Sequence, residues 1–238
     1  MIRSAIFALL IGLFGWTLPA LAATPLETAQ IQACRAVSSF LIFRYEGFQA
    51  EHAQRLNDDL AALTASFQNA ALSDDALRQQ HQKLDQLLRA GQAFGHGEDD
   101  MPWTFTNDLA AALREFLTAA HTLDNKPSAD IALTSEYLSV QYLYRAYAGL
   151  FEKAREQDQI YLGQDEVALV PAIDAQLERL DHTQALTLKP RWRFLRSAFT
   201  DMNSISGGPL TLSQRPFAPL IVDRNARLFS NQALQLQL

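Results

Sequence analysis

The stretch ETAQIQACRAVSSFLIFRYEGFQAEHAQRLNDDLAALTASFQN (residues 27–69) carries apolar side chains at steps of three or four from end to end. Ile31, Cys34, Val37, Leu41, Tyr45, Phe48, His52, Leu56, Leu60, Leu63 and Phe67 fall on one stripe of a helical surface. The spacing predicts one continuous helix about 65 Å long, with Gly47 as a local weak point. A rod of that length needs partners along most of its face, because propensity alone does not hold it.

The same period recurs downstream. Residues 130–162 predict a second long helix, with Leu133, Tyr137, Val140, Tyr144, Tyr147 and Phe151 on its inner stripe and Gln141 and Arg145 on its polar face. Ser73-Asp74-Asp75 caps a shorter helix with Leu77, His81, Leu84, Leu88 and Gly91 inward. Asn107 or Asp108 caps another, with Leu109, Leu113, Phe116, Ala120 and Leu123 inward. Residues 165–181, 190–203 and 217–236 complete the helical segments, Pro171 kinking the first or sitting in its opening turn. Ala, Leu and Gln are frequent and Val and Ile few, which favours helix over sheet. The expected fold is all-α: an elongated bundle of about four main helices, two of them long, with a C-terminal helical pair.

The N-terminal MIRSAIFALLIGLFGWTLPALAAT has a charged start, an uncharged apolar run, a helix-breaking Pro19 and an Ala-Leu-Ala end. That is the layout of a secretory signal peptide, so residues 1–22 are expected to be removed and the protein to be periplasmic. Beyond it no apolar run approaches ~18 residues, so no later membrane span is expected. Cys34 is the only cysteine; it lies on the apolar stripe, as a small core residue does.

Charge divides the mature chain unevenly. Residues 23–186 hold 12 Lys/Arg against 24 Asp/Glu, and residues 187–238 hold 7 against 2. An acidic helical body therefore carries a basic C-terminal segment, and the simplest consequence is that the two dock on each other within one domain. The basic segment opens with KPRWRFLR (residues 189–196). Trp192, Leu195, Phe199 and Met202 share one helical face, and Lys189, Arg193 and Arg196 share another. A Gly/Pro-rich loop, SISGGPLTLSQRP (residues 204–216), follows; loops of that length are usually functional or mobile.

Catalytic and cofactor patterns do not stand out. None of the five histidines has Glu-x-x-His or His-x-x-x-His spacing, and His96 with Glu98, Asp99 and Asp100 fits no calcium loop. There is no Gly-x-Ser-x-Gly and no phosphate-cradling Gly-rich loop, so the chain reads as non-enzymatic, without metal or cofactor. Nucleic acid is an implausible partner for an exported acidic protein.

Two functional readings remain. In the first, the protein binds another envelope protein, or another acidic envelope component, through Lys189, Arg191, Arg193, Arg196 and Arg215. In the second, aromatic residues of the two long helices line a ligand pocket in a sensory or ligand-binding bundle. Its expected residues are Tyr45, Phe48, Tyr137, Tyr144, Tyr147 and Phe151, with Arg44 as anion binder unless it snorkels to the surface.

Overall fold

A computed structural model describes residues 24–69, 74–123, 131–149, 166–202 and 209–236. Those residues form eight α-helices and one 3-10 turn, with no strand among them: α1 Pro25–Tyr45, α2 Ala50–Asn69, α3 Asp75–Ala93, the turn Glu98–Asp100, α4 Phe105–Leu123, α5 Ile131–Ala148, α6 Glu166–Glu178, α7 His182–Thr200 and α8 Pro219–Gln235. The expected leader and Phe151 lie outside the described residues.

The all-α bundle holds; the first continuous rod does not. The chain reverses at residues 46–49 and α2 returns along α1, bringing Asp59 onto the Ser39 hydroxyl. Gly47 (φ +92°) and Phe48 (φ +59°) both adopt left-handed backbone, a pair no helix accommodates. Phe48 donates its N–H to the Phe43 carbonyl (3.1 Å) and sets its ring edge-on to Phe43, 5.3 Å away. The apolar count of three and four passes through the turn unbroken, which is why the stripe reads as one helix. In the second predicted rod, helix ends at Ala148 and Gly149 turns to φ +64°.

Two helices occupy the centre. Residues 33–44 of α1 and 131–145 of α5 are buried without exception, and the two helices pack on each other. Around them α2 and α4 lie on α1, α3 lies on α4, α8 lies on α5, and α6 and α7 close the far side. So α5 has no polar face: Gln141 and Arg145 are buried, Arg145 with its guanidinium 5.6 Å from the Phe217 ring. No helix among the described residues is long and apolar enough to cross a membrane.

Local signals set the helix starts. Thr24 and Glu27 form a capping box ahead of Pro25, each accepting the other's backbone N–H. Asp74 caps α3 by accepting from Leu77 N. α4 begins at Phe105, so Asn107 and Asp108 sit in its first turn instead of capping it. Asp181 and Gln184 box the start of α7, which therefore begins eight residues before Pro190 and carries that proline inside. The composition boundary at 186/187 thus falls within α7.

Buried charge links α8 to α1, α2 and α5. Arg227 of α8 grips Asp59 of α2 with two guanidinium nitrogens (2.7 and 3.0 Å), and it also donates to the Arg35 carbonyl and Ser39 hydroxyl of α1. Arg35 Nε meets Glu136 of α5 at 2.7 Å, while its Nη2 donates to Ser230 and Asn231 of α8. Asp223 of α8 accepts from Arg55 of α2 and, at 3.4 Å, from Arg227. Three arginines and three carboxylates from four helices balance.

Three substitutions test this packing. At Gly47 an added Cβ meets nothing, so Gly47→Ala is expected to cost only backbone strain, about 1–2 kcal/mol, in urea unfolding. At Gly91 a Cβ would stand 2.6 Å from Phe40 and 2.7 Å from Phe105, so Gly91→Ala overpacks the core by about 1–3 kcal/mol. Arg227→Met leaves Asp59 buried without its bidentate partner and is expected to cost about 3–5 kcal/mol.

The same network sets an acid limit. Burial alone raises the Asp59 carboxyl, but Arg227, the Ser39 hydroxyl and Arg55 outweigh it and hold the pKa below its usual value. Its stabilisation is then complete above about pH 4 and is lost as pH falls through the lowered folded value. Asp59→Asn is expected to be less stable at neutral pH and to lose part of that acid dependence in unfolding titrations.

Candidate functional site

Two surface regions collect the residues that the sequence singled out. The first is the outer face of α7. Trp192, Leu195, Phe199 and Met202 are buried, as their spacing predicts, which turns Lys189, Arg193 and Arg196 to solvent. Three grooves of about 310, 390 and 510 Å³ run along this face, and Arg193 lines all of them. Lys189 lines two, and Arg196 shares the largest with Arg215.

Arg215 arrives there through the loop. Residues 203–208 lie outside the described residues, but residues 209–216 are tied to the end of α7. The Asp201 carboxylate accepts from the Ser213 N–H (2.7 Å) and hydroxyl, and the Asp201 carbonyl accepts from Leu212 N at 3.0 Å. Thr211, buried, closes the turn by exchanging bonds with Arg215, and Gln214 takes φ +61° to complete it. Burial raises the Asp201 carboxyl, but the bonds from Ser213 and Thr211 and the charge of Arg215 together outweigh it and lower the pKa overall. Arg215 is therefore held by a built turn.

Carboxylates share these grooves, yet two of them are occupied. Asp174 accepts from the Trp192 indole N–H (2.7 Å) and from Arg196 Nε (2.8 Å), and Asp201 serves the loop. Lys189, Arg193 and Arg215 make no side-chain hydrogen bond or ion pair among the described residues, although Glu178 shares a groove with the first two and the Arg215 charge acts on Asp201. Arg191 does not join them: it turns to α8 and bonds Gln232 and Asn225. Leu186, well exposed, adds an apolar spot to the smallest groove.

The second region lies where α1 and α5 end and α4 begins. The rings of Tyr45 and Tyr147 stack, 5.2 Å apart and nearly parallel at 6°, and they wall a cleft of about 600 Å³. The Tyr147 hydroxyl donates to Glu46 at 2.6 Å; burial first, then that bond, keeps the phenol protonated well beyond the ordinary range. Across the cleft stand Asp99, Met101, Trp103 and the first turn of α4 at Thr106 and Asn107. Trp103 is 89% exposed.

Of the pocket residues expected from the sequence, only Tyr45 and Tyr147 line this cleft. Tyr137 and Tyr144 are core, and burial raises both phenols. Phe48 stacks on His96 at 3.8 Å, which makes that histidine a packing residue. Arg44 neither snorkels nor faces the cleft. It is buried over the Phe48 ring and donates to the carbonyls of Gly95 and Gly97, holding the loop between α3 and α4. Trp103 was missed, and Asp99 was weighed only as part of a calcium-type loop; the visible signal for Trp103 was a Pro-Trp pair one residue after an acidic run, GEDDMPW at residues 97–103.

No protein-family model, curated protein or solved structure matches this chain.

Proposed function

We propose that this protein is an exported, periplasmic, non-enzymatic helical bundle that docks an acidic segment of another envelope protein along α7. The carrying observation is the meeting of three grooves at Arg193. Lys189 and Arg215 flank it, and none of the three makes a side-chain hydrogen bond or ion pair among the described residues. Grooves favour an extended chain over a flat lipid surface, and guanidinium groups match carboxylates in geometry as well as charge. The positive face on an acidic body orients the encounter, and the exposed Leu186 supplies apolar contact beside it. The leader-like residues 1–22 support the address.

The test is photo-crosslinking in intact cells from a probe at Leu186. An acidic envelope protein is expected in the adduct, and the double reversal Arg193→Glu with Arg215→Glu is expected to remove it while leaving thermal unfolding unchanged. Adducts that all survive the reversal overturn the reading. So does reversal-sensitive co-sedimentation of the purified chain with anionic phospholipid vesicles, which transfers the face to a membrane. Sequencing of the mature N-terminus is expected to begin near Ala23; retention of residues 1–22 overturns the address.

A further inference from the structure

The cleft between the ends of α1 and α5 and the start of α4 has a chemistry opposite to that of α7. Among the described residues its lining holds three aromatic rings, one carboxylate and no lysine, arginine or histidine. The arginines on the same helix ends are turned elsewhere, Arg44 to loop carbonyls and Arg145 to the Phe217 ring. Asp99 has no hydrogen bond or ion pair among the described residues, and neither does the Trp103 indole. A large indole exposed to water lines the same cleft as two stacked tyrosines, whereas elsewhere in this bundle rings such as Phe40, Phe105 and Phe116 are packed.

Aromatic faces carry negative quadrupole charge and attract cations placed over them, most strongly when the cation is weakly hydrated. The hydrogen bond from Tyr147 to Glu46 pushes electron density into that ring, because the phenol donates toward an acid oxygen. Asp99 adds a formal negative charge at the rim. An anion is disfavoured here by the same features. A compact, strongly hydrated ammonium gains less than a methylated one, since the methyl groups spread the charge and also bury apolar area against the rings. The cleft volume lies in the range of small-molecule sites. Thr106 and Asn107 provide hydrogen-bonding groups for the polar end of such a molecule.

We infer that this cleft binds a small quaternary ammonium compound, its cationic head held by Trp103, Tyr45 and Tyr147 and balanced by Asp99. The inference is independent of the α7 face and of any protein partner.

The test compares choline with 3,3-dimethylbutan-1-ol, a neutral compound of the same shape, by isothermal titration calorimetry on the purified chain at fixed ionic strength. Choline is expected to bind at least about tenfold more tightly than the neutral compound. Trp103→Ala is expected to abolish choline binding, and Asp99→Asn to weaken it several-fold; both positions are exposed, so far-ultraviolet circular dichroism and melting are expected to stay unchanged. Ligand-induced change in indole emission is expected in the native chain and absent in Trp103→Ala. Equal affinity for the neutral compound would reduce the site to an apolar cleft and overturn the assignment. Unchanged choline affinity in Trp103→Ala, or no choline binding, overturns it as well.

Discussion

A buried carboxylate demands a partner, and in this bundle the partners come from distant parts of the chain. Glu136 and Asp223 are almost wholly shielded, and their arginines lie on α1 and on α2 and α8. Removing such charges from water costs several kcal/mol per ion, so the pairs add little net stability against an apolar alternative. What they impose is register. A slip of α8 by one turn would strip Arg227 from Asp59 and Ser230 from Arg35 together, leaving uncompensated charge in the core. The apolar residues of α8 alone, Val222, Ala226, Phe229 and Ala233, repeat too evenly to forbid that slip.

This network also explains why the central helices have no wet side. A helix with Ser38, Ser39 and Arg35 on one surface reads as half solvated, yet α1 buries all three, and α2 and α8 bring complementary groups to Ser39 and Arg35. In α5, one carboxylate oxygen of Glu136 is paired in the same way, with Arg35 and Ser230. Polarity in these helices marks an interface between helices, and the period of apolar residues cannot show that.

The parts of the fold that were legible in the sequence are those governed by neighbours three or four residues apart. The inward faces of α3, α4 and α7 follow directly from spacing, except at Leu123, which lies exposed at the end of α4, and Lys189, Arg193 and Arg196 lie together for the same reason. Two kinds of feature were hidden. At Gly47 the stripe keeps its count across a turn, so periodicity describes one rod and two antiparallel helices equally well; only backbone sign separates them. And contacts such as Arg35–Glu136 or Arg55–Asp223, separated by 101 and 168 residues, leave no local trace. The presence of Arg215 among the α7 cations belongs to the second kind, since it depends on Asp201 fastening the loop. So does the cleft: Tyr45 and Tyr147 stack where α1 and α5 end, and Trp103 lines the same cleft from beyond the loop that Arg44 holds.

The last two turns of α5 serve both surface regions. Tyr142 accepts the Ala218 N–H at 3.0 Å and packs edge-on to Phe217, while Arg145 covers the same ring. Phe217 lies two residues from Arg215, so this anchorage fixes one side of the basic groove from within the core. One turn further, Tyr147 forms the wall of the aromatic cleft. Because residues 131–145 are clamped on every side, neither region rests on a free-standing loop, and rigid support of this kind is what precise recognition needs. A displacement of the α5 end would have to break the Tyr142–Ala218 bond and unstack Tyr147 from Tyr45 in the same movement. Both regions therefore rest on a single buried helix, α5.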